Sequence, residues 1–507
     1  MDAGRRWLHD VRFTPSSPVG NFGDCGGPGH WNLTLCPDPL SCARNCAYDG
    51  LRLADYEAQY GVSMESGGVR MNYVSRAGKV GAQMYLLDGR QENRYKVFHL
   101  KNREFAFDID VSTLECGMDA AVYFVEMPAD GGAGVGGNSA GAAYGLGYCD
   151  ATCPSTVHFI DGQANLDSGF GACCIQMDVF AGNKVATAMT AHPCNTAGLK
   201  RCSGAQCGDP ASRDVYHGDC DRDGCEFNPY RLGDKVFYGL NGTVNTLKPI
   251  TVVTQFLTQD GSDSGQLSEI RRKYIQGGRV IENAHSMLPA VQGDSITESM
   301  CAQQKAAFAS TRDASSPDGN YDRFGLMGGL STLGAALDRG MVLAVALRDD
   351  PTGRMQWLDS LLPEGASPST PGAVRGPCMP QWGDAAWMRT KLQGSHAHLA
   401  NLRFGAIGST HRGMPSAPAG AGARAAAGDT NLVSAQRLGK GLGTAAASRG
   451  GDAFLRLCAV ACASLFTASA FVAYRLLRGS PAARFDDEFA DPRLLMVRSD
   501  APEYACE

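Results

Sequence analysis

Residues 173–183 read CCIQMDVFAGN. Ile175, Met177 and Val179 alternate with Gln176 and Asp178, which is the period of a strand. Gln176 and Asp178 then share one face, about 7 Å apart along the chain, and the three apolar residues share the other. Such a strand packs a core with one face and lines a polar groove with the other. The groove face of this one carries a single carboxylate.

Further strand-like runs occur at 103–112 (REFAFDIDVS), 120–127 (AAVYFVEM), 248–258 (KPITVVTQFLT) and 340–350 (GMVLAVALRDD). Clusters of Gly, Asn, Asp and Pro separate them. Helical period is confined to 301–310 (CAQQKAAFAS). The pattern predicts an all-β, mostly antiparallel sandwich in which one sheet face forms a long groove.

The chain has 507 residues, a formal net charge of −6 and no basic stripe, which argues against a nucleic-acid partner. Sixteen of its 19 cysteines lie between Cys25 and Cys378 in close clusters. An even number without paired histidines reads as disulfides rather than a metal site, so the domain belongs in an oxidising compartment. Asn32-Leu-Thr34 and Asn241-Gly-Thr243 are glycosylation sequons that fit that compartment. No metal and no cofactor is expected.

Beyond residue 410 the composition changes. An Ala/Gly-rich linker occupies 411–453, and Leu457–Tyr474 runs 18 residues without a charge between Arg456 and Arg475. It reads as one transmembrane helix within 454–477, followed by a C-terminal tail at 478–507 on the cytoplasmic side. The start, MDAGRRWLHDVRF, has no apolar h-region.

Taken in order, LCPDPLSCARNCAYDG (35–50), NREFAFDIDVSTLECGMDAAVYFVEMPADGG (102–132), GYCDATCPSTVHFIDGQAN (147–165), CCIQMDVFAGN, AHPC (191–194), CDRDGCEFNPYRLG (220–233), MQWLDS (355–360) and STPGAVRGPC (369–378) resemble glycoside hydrolase family 7. These are secreted cellobiohydrolases and endoglucanases that cut β-1,4-glucan. The resemblance covers residues 2 to about 410 and implies a concanavalin-like β-jelly-roll sandwich with a long glucan-binding groove, domain 1–410. It implies eight disulfides: Cys25–Cys46, Cys36–Cys42, Cys116–Cys378, Cys149–Cys174, Cys153–Cys173, Cys194–Cys220, Cys202–Cys207 and Cys225–Cys301. A further family cysteine is Ala47 here. Because DAGRRWLHD resembles a stretch some way into the family's mature domain, a signal peptide and a first strand are expected to be missing from the start.

The family's retaining mechanism uses the outer two acids of Glu-x-Asp-x-x-Glu, a nucleophile and an acid/base. The resemblance places Gln176 at the nucleophile, Asp178 at the helper carboxylate and Ala181 at the acid/base. Glutamine cannot ionise, though it can hydrogen-bond a sugar, and alanine moves no proton. For substrate binding the resemblance carries over Trp7 and Trp357 as stacking platforms, with Tyr123, Tyr148, Asp150 and His192 in the groove. Asp223, Arg231, Asp349 and Arg375 complete the set. Two further platforms have become Arg5 and Arg348, and one basic product-site residue has become Val215.

The expectation is therefore a membrane-tethered binder of β-1,4-glucan that is catalytically inactive, at the cell surface or in a secretory-pathway membrane with its domain on the extracellular or luminal side. Its alternatives are an active retaining β-1,4-glucanase using Asp178, with Asp150 or His192 as proton donor, and a structural surface protein without sugar binding.

Overall fold

Alternating strands joined by glycine-bearing turns build two antiparallel sheets that face each other across an apolar core. The computed structural model describes residues 8–10, 25, 31–48, 56–414 apart from 66, 139, 209–216, 310–321 and 412, and the strand Leu495–Arg498. Trp7, Arg5, Val215, the linker and the apolar run 457–474 lie outside the described residues.

The groove sheet has nine strands. Its main path runs Cys225–Phe227, Thr187–His192, Gln176–Gly182, Met118–Val125, Met341–Asp349, Ala82–Asp88 and Leu495–Arg498. The second sheet has seven strands, in the order Arg279–Glu282, Leu267–Gln276, Ile250–Thr258, Arg103–Asp110, His396–Ala406, Gly68–Asn72 and Val62–Glu65. All four strand-like runs read from the sequence are strands, displaced by two residues or fewer at each end.

Parity decides which side chains meet between the sheets. Val122, Phe124, Met177, Leu343 and Val345 from the groove sheet pack on Phe105, Phe107 and Ile109 from the other. Phe124 meets Phe105 edge-on with ring centres 5.0 Å apart, the arrangement the ring quadrupole favours. The opposite parity, Ala121, Tyr123, Ala344 and Ala346, forms a separate cluster on the groove side with Tyr85 and Tyr148.

The helical run read at 301–310 overlaps the helix Glu298–Ala307, capped by the Thr297 hydroxyl on the Met300 N–H at 3.1 Å. A second helix, Gly329–Arg339, was not anticipated. Its Leu330, Leu333, Ala336 and Leu337 are buried at helical spacing, but two internal glycines make the segment read as a loop. Gly334 lets it lie on Leu267, whose Cβ would sit 2.9 Å from an added methyl.

All sixteen cysteines pair as the resemblance implies: Cys25–Cys46, Cys36–Cys42, Cys116–Cys378, Cys149–Cys174, Cys153–Cys173, Cys194–Cys220, Cys202–Cys207 and Cys225–Cys301. Two of these bridges clamp the entry to the Gln176–Gly182 strand through Cys173 and Cys174.

No helix among the described residues is long and apolar enough to cross a membrane. Leu495–Arg498 pairs antiparallel with Ala82–Asp88, Leu495 opposite Leu86 and Arg498 opposite Gln83.

Candidate functional site

The Gln176–Gly182 strand sits between Met118–Val125 and Thr187–His192, with Gln176 opposite His192 and Asp178 opposite both Tyr123 and Thr190. Strict alternation would turn Ala181 away from the Asp178 face. A bulge prevents this, because the register shifts between Asp178 and Ala181 against both neighbours. Val179 and Phe180 consequently both enter the core, and Ala181 returns to the groove face. There it packs with Ala186, Ala188, Met355 and Leu358 beside the partly buried Trp357. Buried Arg272 braces the bulge from below by donating to the Val179 carbonyl.

The Gln176 amide is engaged at both ends. Its Nε2 donates to Asp178 Oδ1 at 2.6 Å, and its Oε1 accepts the Ala151 N–H at 3.1 Å. These two bonds use one of its two N–H donors and one of the two lone pairs on its oxygen. On its other oxygen, Asp178 meets His192 Nε2 at 3.2 Å, while His192 Nδ1 donates to the Asp221 carbonyl at 2.9 Å. Both imidazole nitrogens thus face acceptors, which suits the protonated ring. Burial pulls the His192 pKa down, but the Asp178 hydrogen bond and charge outweigh it and leave it raised.

A second chain of hydrogen bonds runs beside the first. Gln83 Nε2 donates to the Tyr123 hydroxyl at 2.8 Å, Tyr123 and Tyr148 hydroxyls lie 3.0 Å apart, and Tyr148 donates to Asp150 at 2.5 Å. Asp150 also accepts from the Thr152 N–H and hydroxyl at 2.7 and 2.6 Å. Burial and the Asp150 charge hold the Tyr148 hydroxyl well above its ordinary pKa.

The third feature is a charge pair. Arg348 Nε donates to Asp119 Oδ2 at 3.1 Å, and Asp119 Oδ1 accepts the Gly182 N–H at 3.0 Å. Asp119 is fully buried, and burial raises its carboxyl to about 6 against the pull of the guanidinium. Neither this pairing nor Asp119 itself figured in the sequence reading. The signal was present, since Asp119 shares parity with Ala121 and Tyr123.

At the other end, Arg231 and Arg375 both donate to buried Glu226, at 2.6 and 3.1 Å. Arg231 also stacks on Phe308 with its guanidinium carbon 4.3 Å from the ring centre. Asp223 is exposed nearby in sequence. Asp349 has protein partners on both carboxylate oxygens. Its carboxylate accepts from the Tyr73 hydroxyl at 2.6 Å and from Arg389 at 2.9 and 3.1 Å, which ties the end of the Met341–Asp349 strand to the Ala385–Lys391 helix. Of the described candidates, the structure brings Gln176, Asp178, Ala181, Tyr123, Tyr148, Asp150 and His192 onto one face, with Trp357 beside Ala181.

This fold, with its bulged strand and groove-side tyrosines, is the sandwich of a β-glucan-cleaving enzyme family. The model of glycosyl hydrolase family 7 matches residues 1–411, and the chain belongs to that family. It is similar to a crystallised family 7 cellobiohydrolase from Daphnia pulex at 39% identity and a TM-score of 0.73, over 81% of this chain and 92% of that one. A cellobiohydrolase from Melanocarpus albomyces, complexed with cellotetraose, is 33% identical with a TM-score of 0.70, over 80% and 91% of the two chains. The native endocellulase of Humicola insolens is 34% identical with a TM-score of 0.63, over 80% and 90%.

Proposed function

We propose that this protein binds β-1,4-glucan in its groove without hydrolysing it. The observation that carries the reading is the pair Gln176 and Ala181. A retaining glycosidase needs an ionisable nucleophile and a proton donor about 5 Å apart across the scissile bond. Here the first is an amide hydrogen-bonded to Asp178 and Ala151, and the second is a buried methyl group packed among Ala186, Ala188, Met355 and Leu358. The remaining carboxylates on this face are committed: Asp178 to Gln176 and His192, Asp150 to Tyr148 and Thr152, and Asp119 to Arg348.

Support for retained binding is the Trp357 ring beside that pocket and the Arg231–Glu226–Arg375 cluster, together with a relative crystallised with cellotetraose. The location proposed is the cell surface or the lumen of the secretory pathway, with the apolar run 457–474 attaching the chain to a membrane.

The test incubates the full chain, and a Gln176→Glu plus Ala181→Glu variant, with cellotetraose. Reducing ends are counted and binding is measured by calorimetry. The expected result is binding by both proteins and new reducing ends from the variant alone. Hydrolysis by the natural chain would overturn the inactive reading and point to Asp178; absence of binding would leave the sandwich a structural surface domain.

A further inference from the structure

The segment following Cys378 carries two tryptophans that the groove does not use. Trp382 lies in the short turn of helix Pro380–Gly383 and Trp387 in the helix Ala385–Lys391. They are 45% and 50% exposed, and neighbouring Met379 is 50% exposed. Half-exposed indoles run against the pattern of the other large rings in this protein, since Tyr73, Tyr85, Tyr123, Phe98, Phe105 and Phe124 are all buried. Among the described residues neither indole stacks on another aromatic ring, and neither indole N–H has a protein acceptor.

The backbone that carries these rings is held in place. Asp384 caps the second helix by accepting the Trp387 N–H at 2.8 Å. Buried Met388 and the bidentate Arg389–Asp349 pair fix the helix to the end of the Met341–Asp349 strand. Gly383 lies so close to Arg354 that an added methyl would sit 2.1 Å from its carbonyl oxygen, and Ser360 donates to the Cys378 carbonyl at 2.7 Å. The segment is therefore bound at several points to residues 349–360, the stretch that carries Trp357.

We infer that Met379, Trp382 and Trp387 form a second carbohydrate-contacting surface for β-glucan, continuous with the groove at the Trp357 stretch. The inference rests on the glucan-binding reading above and extends it to polymer surfaces. Indole faces match the apolar face of a pyranose ring, and their N–H groups supply a hydrogen bond at the rim. Five residues separate the two rings in sequence, a reach of at most about 18 Å, so one oligosaccharide segment can touch both. Fixed aromatic side chains lose little conformational freedom on contact, which is how a flat polymer surface is gripped by few residues. The groove holds a single chain; this surface gives the protein purchase on packed chains.

The experiment compares the full chain with a Trp382→Ala plus Trp387→Ala variant and with Trp357→Ala. Each is sedimented with microcrystalline cellulose and titrated with cellotetraose. The expected result for the double variant is at least a tenfold loss of cellulose partitioning with cellotetraose affinity within twofold of the natural chain. Trp357→Ala should weaken cellotetraose instead, and a Trp382→Phe plus Trp387→Phe variant should recover most of the cellulose binding. Unchanged sedimentation of the alanine double variant overturns the inference while leaving the groove reading intact. Loss of cellotetraose binding by the natural chain, with Trp-dependent cellulose binding kept, overturns the groove reading alone. Failure of the natural chain to sediment with cellulose overturns the second surface outright, as does a Trp382/Trp387 dependence seen only with phosphatidylcholine vesicles.

Discussion

Arg348 reaches across the strand pair to Asp119, its Nε 3.1 Å from Oδ2, at a position where the family resemblance implies an indole platform. The carboxylate is fully buried, while the Arg348 side chain as a whole is 42% exposed. Replacing the arginine leaves a buried acid without its cation, and an unsatisfied buried charge costs more than the pair itself contributes. Arg348→Trp alone is expected to lower unfolding stability by about 1–3 kcal/mol. Arg348→Trp with Asp119→Asn should recover most of that loss, because the uncharged amide still accepts the Gly182 N–H. A double-mutant cycle in urea measures the coupling. If the two substitutions add independently, the pair is not the reason arginine is tolerated there.

Trp357 borders the pocket of Ala181, Ala186, Ala188, Met355 and Leu358. It is the one stacking candidate from the family resemblance that the described residues retain beside the bulge. Trp357→Ala is expected to weaken cellotetraose binding about tenfold, or about 1.4 kcal/mol, with little effect on folding because the ring is only partly buried. Calorimetric titration checks this, and unaltered affinity would place the sugar elsewhere in the groove.

The pairing of Leu495–Arg498 with Ala82–Asp88 makes a topological statement. A label attached after Glu507 should react on intact cells, on the same side as the folded domain. Deleting 485–507 should raise amide exchange at 83–86, whose outer edge the strand covers. A label that reacts only after the membrane is opened would show a single crossing at 457–474 and an unpaired edge.

Much of this architecture was legible beforehand because period-2 alternation is written in runs such as AAVYFVEM and VLAVALRDD. The disulfide pairs followed from the family's motifs. What escaped reading depended on partners distant in sequence. Alternation alone sends Ala181 to the core side, and only the bulge at Asp178–Ala181 brings it back. The partners of Asp349 and Gln176, namely Arg389, Tyr73, Ala151 and Asp178, could not be read from their own neighbourhoods in the chain. The 329–339 helix was hidden by its own glycines.

Stability should fall as pH rises through neutrality, for reasons that can be assigned to three groups. Burial lifts Asp119 to about 6 and Asp359 to about 7, the latter despite hydrogen bonds from the Gly117 N–H and Asn183. Both lie above the ordinary carboxyl value of about 4. Between about pH 4 and 7 the folded chain therefore holds protons that the unfolded chain has released, so unfolding free energy decreases with rising pH. His192 acts in the same direction: its folded pKa is raised, so its stabilisation is complete below about pH 6.5 and disappears as pH climbs through the folded value. Exposed Asp260 and Asp263, lowered by hydrogen bonds from Ser262 and from Arg103 respectively, oppose this only in stronger acid. The melting temperature is expected to be highest near pH 4 and to decline towards pH 8. Asp359→Asn, which keeps an oxygen for the Gly117 N–H, should flatten the upper part of that decline. A melting temperature that stays level or increases from pH 5 to 8 would mean that these carboxyls are already ionised in the folded protein, with compensating cations closer than the structure places them.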